Sequence, residues 1–267
     1  MLNKVPEVTM YFWIIKVLCT TVGETFADYL NSSLGWGLTN TTYAMGALLI
    51  ATLVVQFRAR KYIPGVYWLA VVLLSIVGTL ITDNLTDNFG VPLETTTIVF
   101  GVALMITFGA WYVSERTLSI HTIYTTRREA FYWCAILFTF ALGTAAGDLA
   151  SEKLNLGYLL ALGVFAGAIA IVAVSHYGFK VNAVLAFWLA YILTRPLGAS
   201  IGDYLSQAKA DGGLGLGTTT TSLIFLGTIL ALVIYLSVTR RDQTPVKAAR
   251  SVARGGSPAP VYEGVEA

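Results

Sequence analysis

Apolar residues follow one another in eight continuous stretches, each about twenty residues long, which is the length that a helix needs to cross a hydrocarbon core. The runs are continuous rather than alternating, and this pattern favours helices over a β-barrel, the other structure that satisfies its backbone in lipid. The sequence therefore predicts an all-α polytopic membrane protein. The eight predicted spans are 10–31, 40–57, 65–86, 95–113, 130–151, 157–175, 183–206 and 218–238.

One motif occurs four times. In each copy an aromatic pair is followed by a glycine ten residues after its tryptophan and an aspartate fifteen residues after it. The copies are Phe12-Trp13 with Gly23 and Asp28, Tyr67-Trp68 with Gly78 and Asp83, Tyr132-Trp133 with Gly143 and Asp148, and Phe187-Trp188 with Gly198 and Asp203. Each copy holds two spans, so all four enter the membrane in the same direction. The fold predicted is eight transmembrane helices built from four parallel two-helix repeats.

The copies start 55, 65 and 55 residues apart, and this uneven spacing divides the chain into two halves. Residues 1–117 form the first half with two repeats, 118–129 a cytoplasmic loop between the halves, and 130–239 the second half. Residues 240–267 are polar and contain three prolines, which predicts a disordered cytoplasmic tail.

Composition and charge support this topology. The chain is 56% hydrophobic and only 12% charged, and its mean hydropathy is +0.70. Of the lysines and arginines outside the predicted spans, only Lys153 and Lys209 fall on the outer side. By the positive-inside rule both termini are cytoplasmic, and the lipid bilayer is the expected partner. The net charge of +2 is thus explained without a nucleic-acid partner; the oligomeric state is left open. The basic residues on the inner side are Lys4, Arg58, Arg60, Lys61, Arg116, Arg127, Arg128, Lys180, Arg240, Arg241, Lys247, Arg250 and Arg254.

The four aspartates are expected at one depth. Fifteen residues at about 1.5 Å each put them about 22 Å from the aromatic pairs, near the outer edge of the hydrocarbon. The predicted spans hold five acids, these aspartates and Glu24, against only Lys16 and Arg195. Either some carboxyls hold protons or a cation visits them. The candidate transport site is Asp28, Asp83, Asp148, Asp203, Glu24 and Arg195. Lys16 is expected to snorkel to the cytoplasmic surface.

Small residues on the same spans as these acids predict close helix packing, because small side chains let backbones approach in lipid. The helix-packing positions are Gly23, Gly78, Gly143, Gly147, Gly198 and Gly202.

The side chains also limit the ligand. Carboxylates and threonine hydroxyls suit a proton or a hard divalent metal such as Mg²⁺, Ca²⁺ or Mn²⁺. His121 and His176 fall in predicted loops, and Cys19 and Cys134 occupy unequal repeat positions, so neither a soft-metal site nor a disulfide is expected. No cofactor is expected, and the identity of any metal is unknown from the sequence. An enzyme is less favoured because no nucleophile–base pair is evident.

A second interpretation stays open. Threonine-rich runs begin three of the even-numbered spans and are expected to act as helix N-caps, so the aspartates could be structural clasps in a non-transporting scaffold or sensor. Asymmetry between the copies favours a proton or cation transporter or channel. Only the first copy has Glu24, and only the fourth has Arg195 followed by Pro196.

The motif Trp-x9-Gly-x4-Asp, with Val-Pro-Glu-Val-Thr at 5–9 and Gly23-Glu-Thr-Phe-Ala-Asp28, resembles the bacterial four-repeat membrane proteins catalogued as repeat of unknown function 347 and labelled uncharacterised membrane-anchored proteins. The resemblance extends from residue 4 to about residue 238. It implies an inner-membrane protein and supplies no catalytic residues.

Overall fold

The computed structural model describes residues 3–154 and 156–243, apart from the side chain of Glu152. This part of the chain contains eight long α-helices and no strand, which confirms the all-α prediction for it. The helices are α1 (Met10–Asp28), α2 (Leu38–Arg58), α3 (Pro64–Asp83), α4 (Leu93–Glu115), α5 (Thr126–Asp148), α6 (Gly157–Phe179), α7 (Ala183–Ser206) and α8 (Thr218–Thr239).

Seven of these helices, α2 to α8, are long and apolar enough to cross a membrane. Among the described residues α1 is the one long helix outside this set. Its apolar run is interrupted by Lys16, Glu24 and several threonines, which lower its hydropathy. The chain is therefore a multi-pass membrane protein, and an eighth span stays a prediction.

The odd-numbered helices form an inner ring in which α1, α3, α5 and α7 each pack on two neighbours, and α7 closes on α1. The even-numbered helices lie outside this ring. Each packs chiefly on the odd helix that follows it: α2 on α3, α4 on α5, α6 on α7, and α8 on α1. Burial follows this arrangement, since 78% of the apolar window of α3 is buried but only 6% of that of α6. Neighbouring repeats thus interlock, because each outer helix packs against the next copy.

The repeat glycines lie where neighbouring ring helices meet, at four equivalent seams. A β-carbon added to Gly23 would lie 2.7 Å from Cβ of Ser75, and one added to Gly78 would lie 2.8 Å from Cβ of Phe140. A β-carbon added to Gly143 would lie 2.5 Å from Cβ of Arg195, and one added to Gly198 would lie 2.7 Å from Cβ of Thr20. In each case the glycine meets the residue three positions before the next copy's glycine. The ring helices therefore run in the same direction at the same level.

Gly147 and Gly202 follow one turn later in two of these seams. A β-carbon at Gly202 would lie 3.1 Å from Cγ2 of Thr25, and one at Gly147 would lie 3.5 Å from Cβ of Pro196. The small residues thus let the ring helices pack closely over more than one turn.

The aromatic pairs close one end of the ring. The first aromatic residue of each copy contacts the tryptophan of the next, with ring centroids 5.5–6.3 Å apart. The Tyr67 and Tyr132 hydroxyls are also hydrogen-bonded at 2.5 Å. Aromatic surface therefore fills the axis at this end, which also carries the basic loops. The four contacts are Phe12–Trp68, Tyr67–Trp133, Tyr132–Trp188 and Phe187–Trp13.

The opposite end is marked by a change in helix geometry. Three ring helices continue as π-helix directly after their repeat aspartate, at Tyr29–Ser33, Asn84–Asn88 and Leu149–Lys153. The fourth, α7, stays α-helical to Ser206. Wider turns of this kind are often found at functional sites.

The N-terminal segment packs against the aromatic end of the bundle. Lys4 Nζ donates to Glu129 Oε2 at 2.7 Å and to the Phe57 carbonyl at 3.0 Å, and both charged side chains are buried. Nearby, the Tyr62 hydroxyl donates to Asp242 Oδ2 at 2.5 Å. Asp242 is buried although it belongs to the predicted tail, of which residues 244–267 lie outside the described part.

Candidate functional site

Side chains four residues apart on each ring helix line the central axis, because this spacing keeps them on one helix face. Five layers of four result, one side chain from each copy. From the aromatic end they are Phe12, Tyr67, Tyr132 and Phe187; Lys16, Val71, Ile136 and Tyr191; Thr20, Ser75, Phe140 and Arg195; Glu24, Thr79, Thr144 and Ala199; and Asp28, Asp83, Asp148 and Asp203. Every side chain in the three middle layers is at most 7% exposed, so the axis is filled in this state.

Arg195 extends from α7 across the axis and binds the other three ring helices. Its Nη2 lies 2.8 Å from Glu24 Oε2 on α1 and 2.7 Å from Thr144 Oγ1 on α5. The same nitrogen donates to Thr79 Oγ1 on α3, and Nη1 donates to the Thr20 carbonyl at 3.4 Å. The guanidinium thus connects all four copies while remaining fully buried.

The three side chains that accept from Nη2 occupy one repeat position, the residue directly after the glycine. Sequence reasoning placed Glu24 and Arg195 in the candidate site, but it did not identify Thr79 and Thr144 as ligands of Arg195. Their shared position after Gly78 and Gly143 was the available signal. Assigning them to Arg195 also requires the ring order, which the sequence does not contain.

Lys16 lies one layer nearer the aromatic end and is fully buried, so the expectation that it would snorkel is wrong. Its Nζ donates to Thr194 Oγ1 at 3.2 Å and lies over the rings of Phe140 and Tyr191, 4.3 and 4.2 Å from their centroids. The physical reason is register: Lys16 lies on the same face of α1 as Thr20 and Glu24. Aromatic faces partly replace water around the ammonium group.

The four repeat aspartates form the layer at the π-helical end. Asp203 is 9% exposed, and the other three are partly exposed. Asp83 and Asp203 each interact electrostatically with Glu24, Asp28 and Asp148, which belong to the two neighbouring ring helices α1 and α5. The structure thus brings all six predicted transport residues to one half of the axis. Within the described residues, no three His, Cys, Asp or Glu side chains are placed so that they could hold a metal ion.

The threonine-rich runs do not act as the expected N-caps. Gly37, Pro92 and Gly217 occupy the N-cap positions of α2, α4 and α8, without a side-chain cap hydrogen bond. Within the helices, Thr42, Thr96 and Thr221 donate to the carbonyl four residues earlier. Hydroxyl groups can make this local bond inside a helix, and it competes with capping.

Hydroxyls in or directly after these runs also join the outer helices to the ring. Asn84 donates to Thr42 Oγ1 at 2.8 Å, Ser33 pairs with Thr218 at 3.1 Å, and Ser222 donates to Thr25 at 2.9 Å. These links hold the π-helical end of the ring against α2 and α8.

Fold and site together define a multi-pass α-helical membrane protein in which four copies of one unit surround a charged, buried axis. The family model described as Repeat of Unknown Function (DUF347) matches residues 11–62, 66–117, 131–182 and 186–242. The chain belongs to this family, as the motif predicted. Each match covers most of one ring helix and all of the outer helix that follows it. No curated protein and no solved structure matches the chain significantly.

Proposed function

We propose that this protein is an inner-membrane cation transporter or channel whose charged axis carries protons. The observation that carries the proposal is the gathering of Glu24 and the four repeat aspartates at one half of the axis. Only two cations, Lys16 and Arg195, are buried on that axis to balance five acids. Carboxylates that face each other away from water are stabilised when a proton or cation neutralises some of them.

The proton fits this axis better than a hard metal such as Mn²⁺, the other cargo that the sequence suggests. Hard divalent ions take about six or more oxygen ligands in a closed shell. The described carboxylates repel one another, yet no three of them are grouped to hold a metal. A metal ion would also have to pass the fixed charge of Arg195, which spans the axis. A proton can instead move between carboxyl, hydroxyl and amine groups without a coordination shell.

The membrane orientation is part of the proposal. The basic loops and both described ends of the chain lie at the aromatic end, and the positive-inside rule makes that end cytoplasmic. The aspartate layer then faces outward. We count α1 as the eighth span, because it packs between α3, α7 and α8 inside the bundle and its polar side chains line the axis.

A non-transporting scaffold or sensor is the second candidate, and the contacts of Arg195 favour it. The buried guanidinium of Arg195 binds α1, α3 and α5, and these contacts stabilise the ring whether or not an ion is transported. In that case the aspartates serve only the structure. Their removal would then weaken the bundle and leave no transport to lose.

Purified protein in liposomes that contain a pH-sensitive dye separates the two candidates. A pH gradient should drive proton flux through the wild type, and Asp83→Asn and Asp203→Asn should abolish it while the protein stays folded in detergent. Asp211→Asn, an exposed acid in the loop before α8, is the matched control and should keep full flux. A parallel assay with a Mn²⁺-sensitive dye tests the metal. Absence of proton flux in the wild type, or unfolding of both axis variants, would refute the proton proposal.

A further inference from the structure

A cavity of about 530 Å³ lies beside the axis between α1, α6, α7 and the segment 118–121. Its wall is mainly apolar, with side chains such as Val17, Ile169 and Phe187. Polar side chains occur at its two ends. Ser119, His121 and His176 lie at the aromatic end of the bundle, and Thr194 lies deeper in the membrane region. Water in the cavity would therefore find polar partners at both ends, which a wholly apolar cavity does not offer.

The cavity borders the seam between α7 and α1, where the fourth repeat meets the first. At this seam the aromatic contact joins Trp13 and Phe187, which are both partly exposed and line the cavity. In the equivalent contacts Phe12–Trp68, Tyr67–Trp133 and Tyr132–Trp188, every side chain is at most 4% exposed. The aromatic closure of the axis is thus thinnest beside the cavity.

The same seam carries the charged groups of the axis. Lys16 and Glu24 lie on α1, and Arg195 lies on α7 next to Thr194. The corresponding lysine position holds Val71 on α3 and Ile136 on α5. The polar part of the axis and the cavity are therefore on the same side of the ring.

Thr194 connects them directly. Its side chain lines the cavity, and its Oγ1 accepts a hydrogen bond from Lys16 Nζ at 3.2 Å while donating to the Tyr191 carbonyl at 2.7 Å. From Ala183 at the helix start to Thr194 is eleven residues, or about 16 Å along α7 at 1.5 Å per residue. The cavity thus extends from the aromatic end of the bundle to Thr194, the residue that accepts a hydrogen bond from the buried amine of Lys16.

We propose that this cavity is the cytoplasmic access route to the axis, and that protons pass between Lys16 and cavity water at Thr194. The proposal rests on the proposed proton transport. Lys16 in its neutral form takes one proton from the axis side and becomes an ammonium group. It then releases one proton to a water molecule beside the Thr194 hydroxyl and is neutral again. One proton crosses in each cycle, and no other group is consumed.

Cysteine accessibility tests the route without requiring transport. In a Cys19→Ala, Cys134→Ala background, Ala173→Cys and Thr194→Cys place thiols at the wall and the deep end of the cavity. Ala170→Cys, exposed on α6 and outside the cavity lining, is the lipid-facing control. A membrane-impermeant methanethiosulfonate should modify both cavity thiols from the cytoplasmic side and neither from outside, while the control thiol stays unmodified.

Modification of Ala173→Cys without modification of Thr194→Cys would overturn the inference, because the cavity would then end before the axis. Modification of Thr194→Cys from the outer side would overturn it as well. These results stand whether or not the protein moves protons, so the failure of the access route is distinguishable from the failure of the proposed function.

Flux measurements test the role of the hydroxyl. Thr194→Val keeps the side-chain shape and removes the hydroxyl, so flux should fall by about a hundredfold if a positioned proton-transfer group is lost. Thr194→Ser should retain most of the flux. Equal flux in Thr194→Val and wild type would show that protons leave the axis elsewhere. Loss of flux in both variants would assign Thr194 to packing rather than to proton transfer.

Discussion

Arg195 and Glu24 form a buried ion pair that joins the last repeat to the first, with Nη2 of Arg195 lying 2.8 Å from Oε2 of Glu24. Arg195 is fully buried and Glu24 is 7% exposed. The pair crosses the seam between α7 and α1, which is also the seam beside the cavity. The buried charge pair, the closure of the ring and the proposed access route therefore involve the same two helices.

Breaking this pair should destabilise the bundle strongly. Arg195→Met leaves the Glu24 carboxylate buried without its cation, and such a loss costs about 3–5 kcal/mol. Unfolding in detergent, followed by intrinsic fluorescence, measures the change. Arg127→Met, which removes an exposed partner of Glu115, is the control and should change stability little. Adding Glu24→Gln to Arg195→Met should recover part of the loss, and purely additive effects would contradict direct coupling.

A methyl group at a seam glycine should force ring helices apart. In Gly78→Ala the added carbon would meet Cβ of Phe140 at 2.8 Å and the Ala141 backbone nitrogen at 3.2 Å. Overpacking of this kind costs about 1–3 kcal/mol. Gly46→Ala on α2 has open space at its β-carbon and is the matched control. Equal melting temperatures for the two variants would argue against the close seam.

Replacement of Lys16 should separate stability from transport. Lys16→Met removes a buried ammonium group that contacts one hydroxyl and two aromatic faces, and it keeps a side chain of similar length. Since burying a charge is costly, the variant should be at least as stable as the wild type. It should carry no proton flux. Lys61→Met, at an exposed loop position, should change neither property, and a folded Lys16→Met protein with full flux would remove Lys16 from the path.

The packing of Asp242 against Tyr62 should weaken as the pH rises. Burial raises the pKa of the Asp242 carboxyl above its ordinary value of 3.8, although the hydrogen bond from Tyr62 partly opposes this shift. The folded state therefore binds the proton more tightly than the unfolded state, so its contribution to stability is lost as pH rises through the folded pKa. Asp242→Asn should remove this dependence.

Melting temperatures of wild type and Asp242→Asn between pH 4 and pH 8 measure the effect. The advantage of the asparagine variant should grow as pH rises above the ordinary carboxyl value. Asp211→Asn, at an exposed position, serves as the control and should have melting temperatures close to those of the wild type. A constant difference for Asp242→Asn would contradict the assigned direction of the pKa shift.

Spacing alone predicted much of this molecule. The interval from tryptophan to glycine to aspartate indicated four parallel copies, and the glycines and aspartates lie at equivalent levels of the ring. Glu24 and Arg195 were recognisable because each breaks the pattern of its copy. Helical periodicity determines which residues share a face, and that information is present in a single sequence.

The features that the sequence did not predict depend on which helices are neighbours in the folded bundle. Nothing in the apolar pattern of α2 distinguishes packing on α1 from packing on α3, so the interlocked arrangement was not predictable. Thr79 and Thr144 can be assigned as hydrogen-bond acceptors of Arg195 only when the packing of α3, α5 and α7 in one ring is known. The prediction for Lys16 was wrong because its distance from the membrane surface was considered without the direction of its side chain. The π-helical turns follow the repeat aspartate in three copies but not in the fourth, so the shared motif alone does not predict them.

The interlocked ring also affects how the chain is made. Helix α1 is synthesised first and carries Lys16, Glu24 and Asp28, yet its ring neighbour α7 and its outer partner α8 emerge last. Until then these charges have no Arg195 and no Thr194 to contact. If α1 is the proposed eighth span, its polar face therefore needs contact with water until α7 is made. In a chain that stops before the fourth repeat, that polar face would lack both of these helices.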